Sequence, residues 1–314
     1  RLVGVVLVAP FLHPIAHALQ SFQPDMAKMT AAFHMAFNIA MAAIFIGLLD
    51  PLAWLLEKVF PARKQAGDAA APRYLDDGAL DTPSLALADA ARETLHMGDI
   101  VEAMLRQVMT AILTNDRALA GEVSRMDNAV DRLDEAIKLY VTRLTRGSLD
   151  ERESRRAMEI IAFTINLEHI GDIIDKNLCE LAAKKVKRNL QFSDEGAAEI
   201  AAFHKRVLDS LRAAFGVFMA ADADEARRLL AEKTKVRDAE LAAAELHLER
   251  LREGRSESLE TTSLHLDVLR DLKRIHSHIC SVAYPVLEAA GEKAAPERDD
   301  SITAVNPSRA KPAT

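Results

Sequence analysis

From Leu85 to Leu287 the apolar residues recur at the three- and four-residue steps of an α-helix, and no stretch shows the period of two expected of a half-buried strand. The pattern breaks at TND (114–116), RGSLD (146–150), NLQFSDEG (189–196), ADAD (221–224) and EGRSES (253–258), which predicts six helices. Connections this short make consecutive helices antiparallel neighbours. Ser148, Ser193 and Ser256 stand where a helix needs a capping oxygen; Gly196 follows Ser193 at the position where a capping box needs Glu or Gln, so no box closes there. Met97, Met104, Met109, Phe215, Phe218 and Met219 are expected in the core.

The six helices read as three, repeated. DLKRIHSHI (271–279) lies on NLEHIGDII (166–174) with its Leu and both Ile positions kept, and the same offset sets Asp127 against Glu232. Equal lengths and matching breaks make this an internal duplication, with one antiparallel three-helix bundle over 85–188 and another over 193–290.

The amino-terminal part has a different composition. Residues 2–24 and 29–49 contain no Asp, Glu, Lys or Arg, whereas charges arrive every few positions beyond residue 90. Thr30 to Leu49 is close to the ~20 apolar residues needed to cross a ~30 Å hydrocarbon core. Residues 2–19 make a weaker span, interrupted by Pro10, His13, Pro14 and His17; the expected role of these histidines, His34 and Asn38 is hydrogen bonding between helices. Trp54, Lys58, Arg63 and Lys64 then suit an interfacial helix leaving the bilayer on its cytoplasmic side. Because Arg1 opens directly into an apolar run, residues 1–60 are expected to be the end of a longer transmembrane domain. Residues 61–84, rich in Ala, Gly, Asp and Pro, read as a linker, and the polar 291–314 as a disordered tail.

Two helices of the first bundle carry acids at matching steps of four and three: Asp127, Asp131 and Asp134 on one, Glu168, Asp172 and Asp175 on the other. Stacked like charges cost roughly 0.2–0.5 kcal/mol per pair unless offset, and only Lys176, four residues after Asp172, is placed to help. On adjacent antiparallel helices the two stripes can offer six carboxylates to one volume, the ligand type that Mg²⁺, Mn²⁺ or Fe prefers. The alternative is a pair of solvated outer faces. In the second repeat Lys273, His276 and Ser277 stand for Glu168, Gly171 and Asp172, and Glu232 and Asp238 lie among Lys233, Lys235 and Arg237, so any metal is expected in the first bundle alone.

LEHIGDIIDKN, DNAVDRLDEAI and DLKRIHSHI resemble the PhoU-like domain, a duplicated three-helix bundle whose acidic motifs can hold metal clusters. The order of apolar segment, linker and such helices is similar to the C-terminal part of bacterial sodium-dependent phosphate cotransporters of the Na/Pi family. The resemblance implies an all-α chain: two transmembrane helices, then six PhoU-like helices, in a multi-pass plasma (inner) membrane protein with this domain in the cytoplasm. It also implies inorganic phosphate and Na⁺ as the species moved, a regulatory role for the helical domain, and a homodimer or a regulatory protein as partner. The paired Gln-Ser-Ser signatures of that family are absent, and Gln20-Ser21-Phe22 does not replace them, so phosphate-contacting residues are expected outside this sequence.

A membrane-tethered metal-binding regulator that moves nothing is the competing reading. Enzyme readings fare worse. A di-metal carboxylate enzyme of the four-helix type expects Glu-x-x-His pairs, whereas Glu168 and His169 are immediate neighbours, and no glycine-framed nucleophile turn is present. Acids and bases are mixed around a net charge of −7, without the basic footprint of a nucleic-acid binder. Cys179 and Cys280 lie far apart in helical patterns, giving neither a disulfide framework nor a metal pair, and His276 and His278 read as ordinary interface or surface histidines.

Overall fold

The computed structural model describes residues 34, 35, 37–39, 42, 71–252 and 256–292, and the chain divides into two compact units, Arg1–Gly67 and Asp68–Thr314. In the first unit the described residues are helical, and Asn38 Nδ2 donates to the His34 carbonyl at 2.7 Å. That bond lies within one helix, since an Asn four residues on reaches the carbonyl of its own preceding turn; partners on other helices fall outside the described residues. The membrane spans at 2–19 and 30–49, the interfacial helix, His13 and His17 otherwise fall outside the described residues, as does the tail beyond 292. Among the described residues no helix is long and apolar enough to cross a membrane.

The second unit is helical throughout its described length. Its first bundle comprises α1 (Pro83–Thr114), α2 (Arg117–Leu144) and α3 (Glu151–Ile173), the last continuing through a π-turn segment, Ile174–Cys179, into α4 (Glu180–Lys187). The second comprises α5 (Asp194–Ala220), α6 (Ala223–Arg252) and α7 (Ser256–Cys280), followed by the short α8 (Ala283–Ala289). Local chemistry sets these limits. Pro83 opens α1, where its missing N–H costs nothing, and Asn115 closes it at φ 60°, a left-handed conformation that Asn tolerates. Asp116 caps α2 by accepting from Leu119 N, and Ser193 caps α5 through Gly196 N. The cap of α3 is Asp150, which closes a capping box with Glu153, and not Ser148. Only Asp150 stands directly before the first helical turn, so only its side chain reaches the third residue's N–H.

α1, α2 and α3 pack together, as do α5, α6 and α7, and the repeats join like to like: α1 against α5, α3 against α7. The buried apolar residues of both form one continuous core. Phe163 of α3 stacks on Phe218 of α5 with centroids 4.6 Å apart, and α1 approaches so closely that a Cβ on Gly98 would stand 2.7 Å from the Phe215 ring. Thr94 and Thr164, both fully buried, share a 3.1 Å hydrogen bond across α1 and α3.

Two expectations need correcting. Counting 151–187 as one continuous helix, the described residues of the second unit form seven α-helices rather than six, because Pro285 lacks an N–H and crowds the carbonyl four residues before it, ending α7 near Ser281. Met219 is 54% exposed while its neighbour Phe218 is buried: one residue further round the helix leaves the core face.

Candidate metal centre

The acids on α2 and α3 face each other as the spacing predicts, though not all equally. Asp127, Asp131 and Asp172 each present an oxygen within 4.8 Å of the others. Two oxygens on opposite sides of a small hard cation are about 4.2 Å apart, so a modest side-chain adjustment would bring all three onto one ion. Asp134 instead turns one oxygen to Lys138 at 2.8 Å. Glu168 lies beside His169, its nearest oxygen 3.7 Å from Nε2, and Asp175 sits in the first turn of the π segment. These three acids stay outside the triad but within its field. Asp134 raises the Glu168 carboxyl, and Asp175 raises those of Asp127 and Asp131.

Asp127 occupies the innermost place. It is 7% exposed, and its Oδ1 is buried without a hydrogen-bond partner. Burial first, then the charges of Asp131, Asp175 and Asp172, push its carboxyl up to about 7; Lys176 pulls the other way. Burial and Asp172 likewise raise Asp131 and Glu168. Lys176 hydrogen-bonds Asp172 and is held above its ordinary pKa by that bond. Its ammonium group thus offsets part of the triad's negative charge.

Gly171 makes the space. A Cβ there would lie 2.9 Å from Asp127 Oδ1 and 3.3 Å from Val130 Cγ1, so any other residue would fill the gap between α2 and α3. A mid-helix glycine costs roughly 1 kcal/mol relative to Ala, and clearance beside Asp127 is its structural counterpart. The π segment starts two residues past Asp172, and such turns recur at functional sites. An unsatisfied buried carboxylate oxygen, a glycine-sized gap and a ligand set made of oxygens all suit a hard divalent cation.

The second repeat is closed at the same place. His276, in the position of Gly171, is 1% exposed and hydrogen-bonds Ser210 at 3.1 Å. Burial pushes it down to about 4, so it is neutral at physiological pH. Val236, at the position of Asp131, is buried in the core. The acids have protein counter-ions: Lys235 on Glu232 at 2.5 Å, Lys273 on Glu240 at 2.6 Å. His278 contacts Asn166 Oδ1 at 3.0 Å, and Cys179 and Cys280 are buried free thiols.

Known proteins share the duplicated helical fold. The PhoU domain matches residues 94–182 and 200–286, one match per repeat. The chain is 35% identical over 292 residues to the Escherichia coli (strain K12) protein described as "Putative inorganic phosphate export protein YjbB", a match covering 93% of this chain and 54% of that protein. So large a share of the chain cannot lie within 68–314 alone, and the likeness extends into the amino-terminal unit. A Pseudomonas putida "Phosphate-specific transport system accessory protein PhoU homolog" is 27% identical over 208 residues, 64% of this chain and 77% of that one. The crystal structure of PhoU from Pseudomonas aeruginosa superposes with a TM-score of 0.60 at 22% identity, covering 66% of this chain and 98% of that one. The chain therefore spans about half the length of the phosphate-export relatives it matches. With the family's pattern falling once on each repeat and the same helical architecture beneath it, the chain belongs to the PhoU domain family.

Proposed function

We propose that this chain is the regulatory portion of a phosphate-transport protein, and that Asp127, Asp131 and Asp172, with Glu168, Asp134 and Asp175 around them, hold a divalent Mg, Mn or Fe cation. The observation that carries the metal reading is the convergence of three carboxylates, one of which, Asp127, has a buried and unpartnered oxygen, beside a glycine that leaves room for an ion. The bound cation would add its positive charge to that of Lys176, joining α2 to α3. Asp127 would bind from the inner side, and Asp131 and Asp172 from the solvent side.

For the transport reading, support comes from the likeness to a phosphate-export protein along almost the whole chain, charge-free amino-terminal segment included. On this reading residues 1–60 belong to a multi-pass membrane domain, 85–290 face the cytoplasm, and inorganic phosphate passes through polypeptide that includes regions outside this sequence. That relative's description favours export over uptake; Na⁺ as coupling ion, and homodimerisation, rest on the Na/Pi resemblance. The competing reading, an accessory regulator that moves nothing itself, draws on the likeness to the Pseudomonas putida accessory protein. Metal content by plasma mass spectrometry, measured on the purified chain and on an Asp131→Asn, Asp172→Asn double variant, tests the first claim. About one ion per chain in the parent and none in the variant is expected; equal, near-zero content in both would end the metal reading.

A further inference from the structure

Glu93 is a fully buried carboxylate that takes no part in the acidic centre. It lies on α1 and faces the segment that precedes that helix. Its Oε2 accepts the backbone N–H groups of both Arg73 and Tyr74, at 2.7 and 2.6 Å, while Oε1 meets His96 Nδ1 at 2.8 Å. Two successive backbone N–H groups converging on one anionic oxygen form a nest, in which the main chain itself grips the charge. The Tyr74 ring sits edge-on to His96 at 6.2 Å with the Arg92 guanidinium 5.4 Å above it. A second attachment comes from α2: Tyr140 donates its hydroxyl to the Asp76 carbonyl at 2.7 Å, and Arg143 pairs with Asp77 at 2.8 Å. From this second attachment onward, Asp76 caps a short 3-10 turn, Asp77–Asp81, whose Ala79 is buried in the common core.

Residues 71–82, of linker composition, are thus held at 73–74 and again at 76–77, packed at Ala79, and continue into α1. We propose that this segment is a strap and Glu93 its clasp: the chain enters the bundle along a fixed path, so a displacement of α1 or α2 is delivered to residue 71 instead of being absorbed by a flexible joint. The grip needs only backbone N–H groups from the strap. A buried carboxylate without this use would pay its desolvation for nothing that packing alone could not provide. The same α2 that holds the strap through Tyr140 and Arg143 carries Asp127 and Asp131, about 14 to 24 Å away at 1.5 Å per residue. The strap proposal stands whether or not a metal binds there.

Limited trypsinolysis of the whole chain reads the clasp directly, because cleavage after Arg73 requires the strap to leave the bundle. In the parent chain this bond should be cut at least roughly tenfold more slowly than in a free peptide of residues 68–82, the protection expected of hydrogen bonds to a charged group. Glu93→Gln should remove most of that protection while cleavage after Arg125 and Arg132, in the middle of α2, stays slow. Should Glu93→Gln not fold, Tyr140→Phe, which removes the hydroxyl bond to Asp76 and leaves the Arg143–Asp77 pair, decides the matter by accelerating cleavage at Arg73 selectively. Parent cleavage at the peptide's rate, an unchanged rate in a folded variant, or equal acceleration at Arg73, Arg125 and Arg132 would each overturn the proposal.

Discussion

Replacing Asp127 by Asn is the most informative single change, because it removes a charge and almost no volume. In the folded, metal-free chain the Asp127 carboxyl titrates at about 7, against 3.8 ordinarily. Between those values the folded state keeps a proton that the unfolded chain has released, so this group's contribution is fully present below about pH 4 and is lost as pH rises through 7. At 1.36 kcal/mol per pKa unit the loss approaches about 4 kcal/mol. That is a ceiling, since Asp131 is open to water, which screens its repulsion of Asp127. The experiment is urea unfolding of parent and Asp127→Asn, followed by circular dichroism in chelator at several pH values. Near pH 3.5, below both values, the two should be nearly equally stable. By pH 8 the variant should be the more stable by about 2–4 kcal/mol, with an unchanged dependence on urea. Titrating groups that do not interact with Asp127, the buried histidines of the second repeat among them, cancel in the difference. Saturating Mn²⁺ should then close or reverse the gap, since a ligand at a hundred times its dissociation constant adds about 2.7 kcal/mol to the state that binds it. Parallel pH profiles for the two proteins would refute the argument that Asp127 is buried against its neighbours' charge.

Two glycine substitutions probe the geometry on either side of the core. Gly171→Ala puts a methyl 2.9 Å from Asp127 Oδ1; it should cost about 1–3 kcal/mol by overpacking, less the roughly 1 kcal/mol that Ala gains in a helix, and bound metal should fall by mass spectrometry even where the fold survives. Gly98→Ala drives a methyl into the Phe215 ring at 2.7 Å. A loss of about 1–3 kcal/mol is expected, and Phe215→Leu should recover part of it in a double-mutant cycle of urea unfolding. Simple additivity would mean that the ring is not the obstacle.

Much of the helical architecture could be read from residues 85–287, because each break carries its own local chemistry. Asn115 and Ala221 adopt left-handed φ, and Asp116, Asp150 and Ser193 supply capping oxygens, all beside changes in apolar phase. What went unread has a shared cause: it leaves that phase undisturbed or uses groups common to every residue. The π segment inserts its extra residue while Ile174, Leu178 and Leu181 stay on the core side, so the sequence shows unbroken helix. The Ser281 interruption likewise keeps Ile279, Val282 and Val286 buried on either side. The strap is held by backbone N–H groups, which have no sequence signature, and by Glu93, which resembles any other acid on a helix. In the acidic centre, spacing alone placed the two stripes face to face. Which three of six carboxylates converge depends on rotamers and on the lysines taken by Asp134 and Asp172, and the clearance at Gly171 shows only once α2 lies against it.

Because α1 leans on α5 and α3 on α7, neither half owns the whole of its interior. Severing the backbone near Asn189 would leave Phe163 and Phe218, which stack across the seam, without their aromatic partners, and each fragment would carry a raw greasy surface inviting self-association. Two lobes that share one core are expected to melt as one, so that damage to either is felt by both.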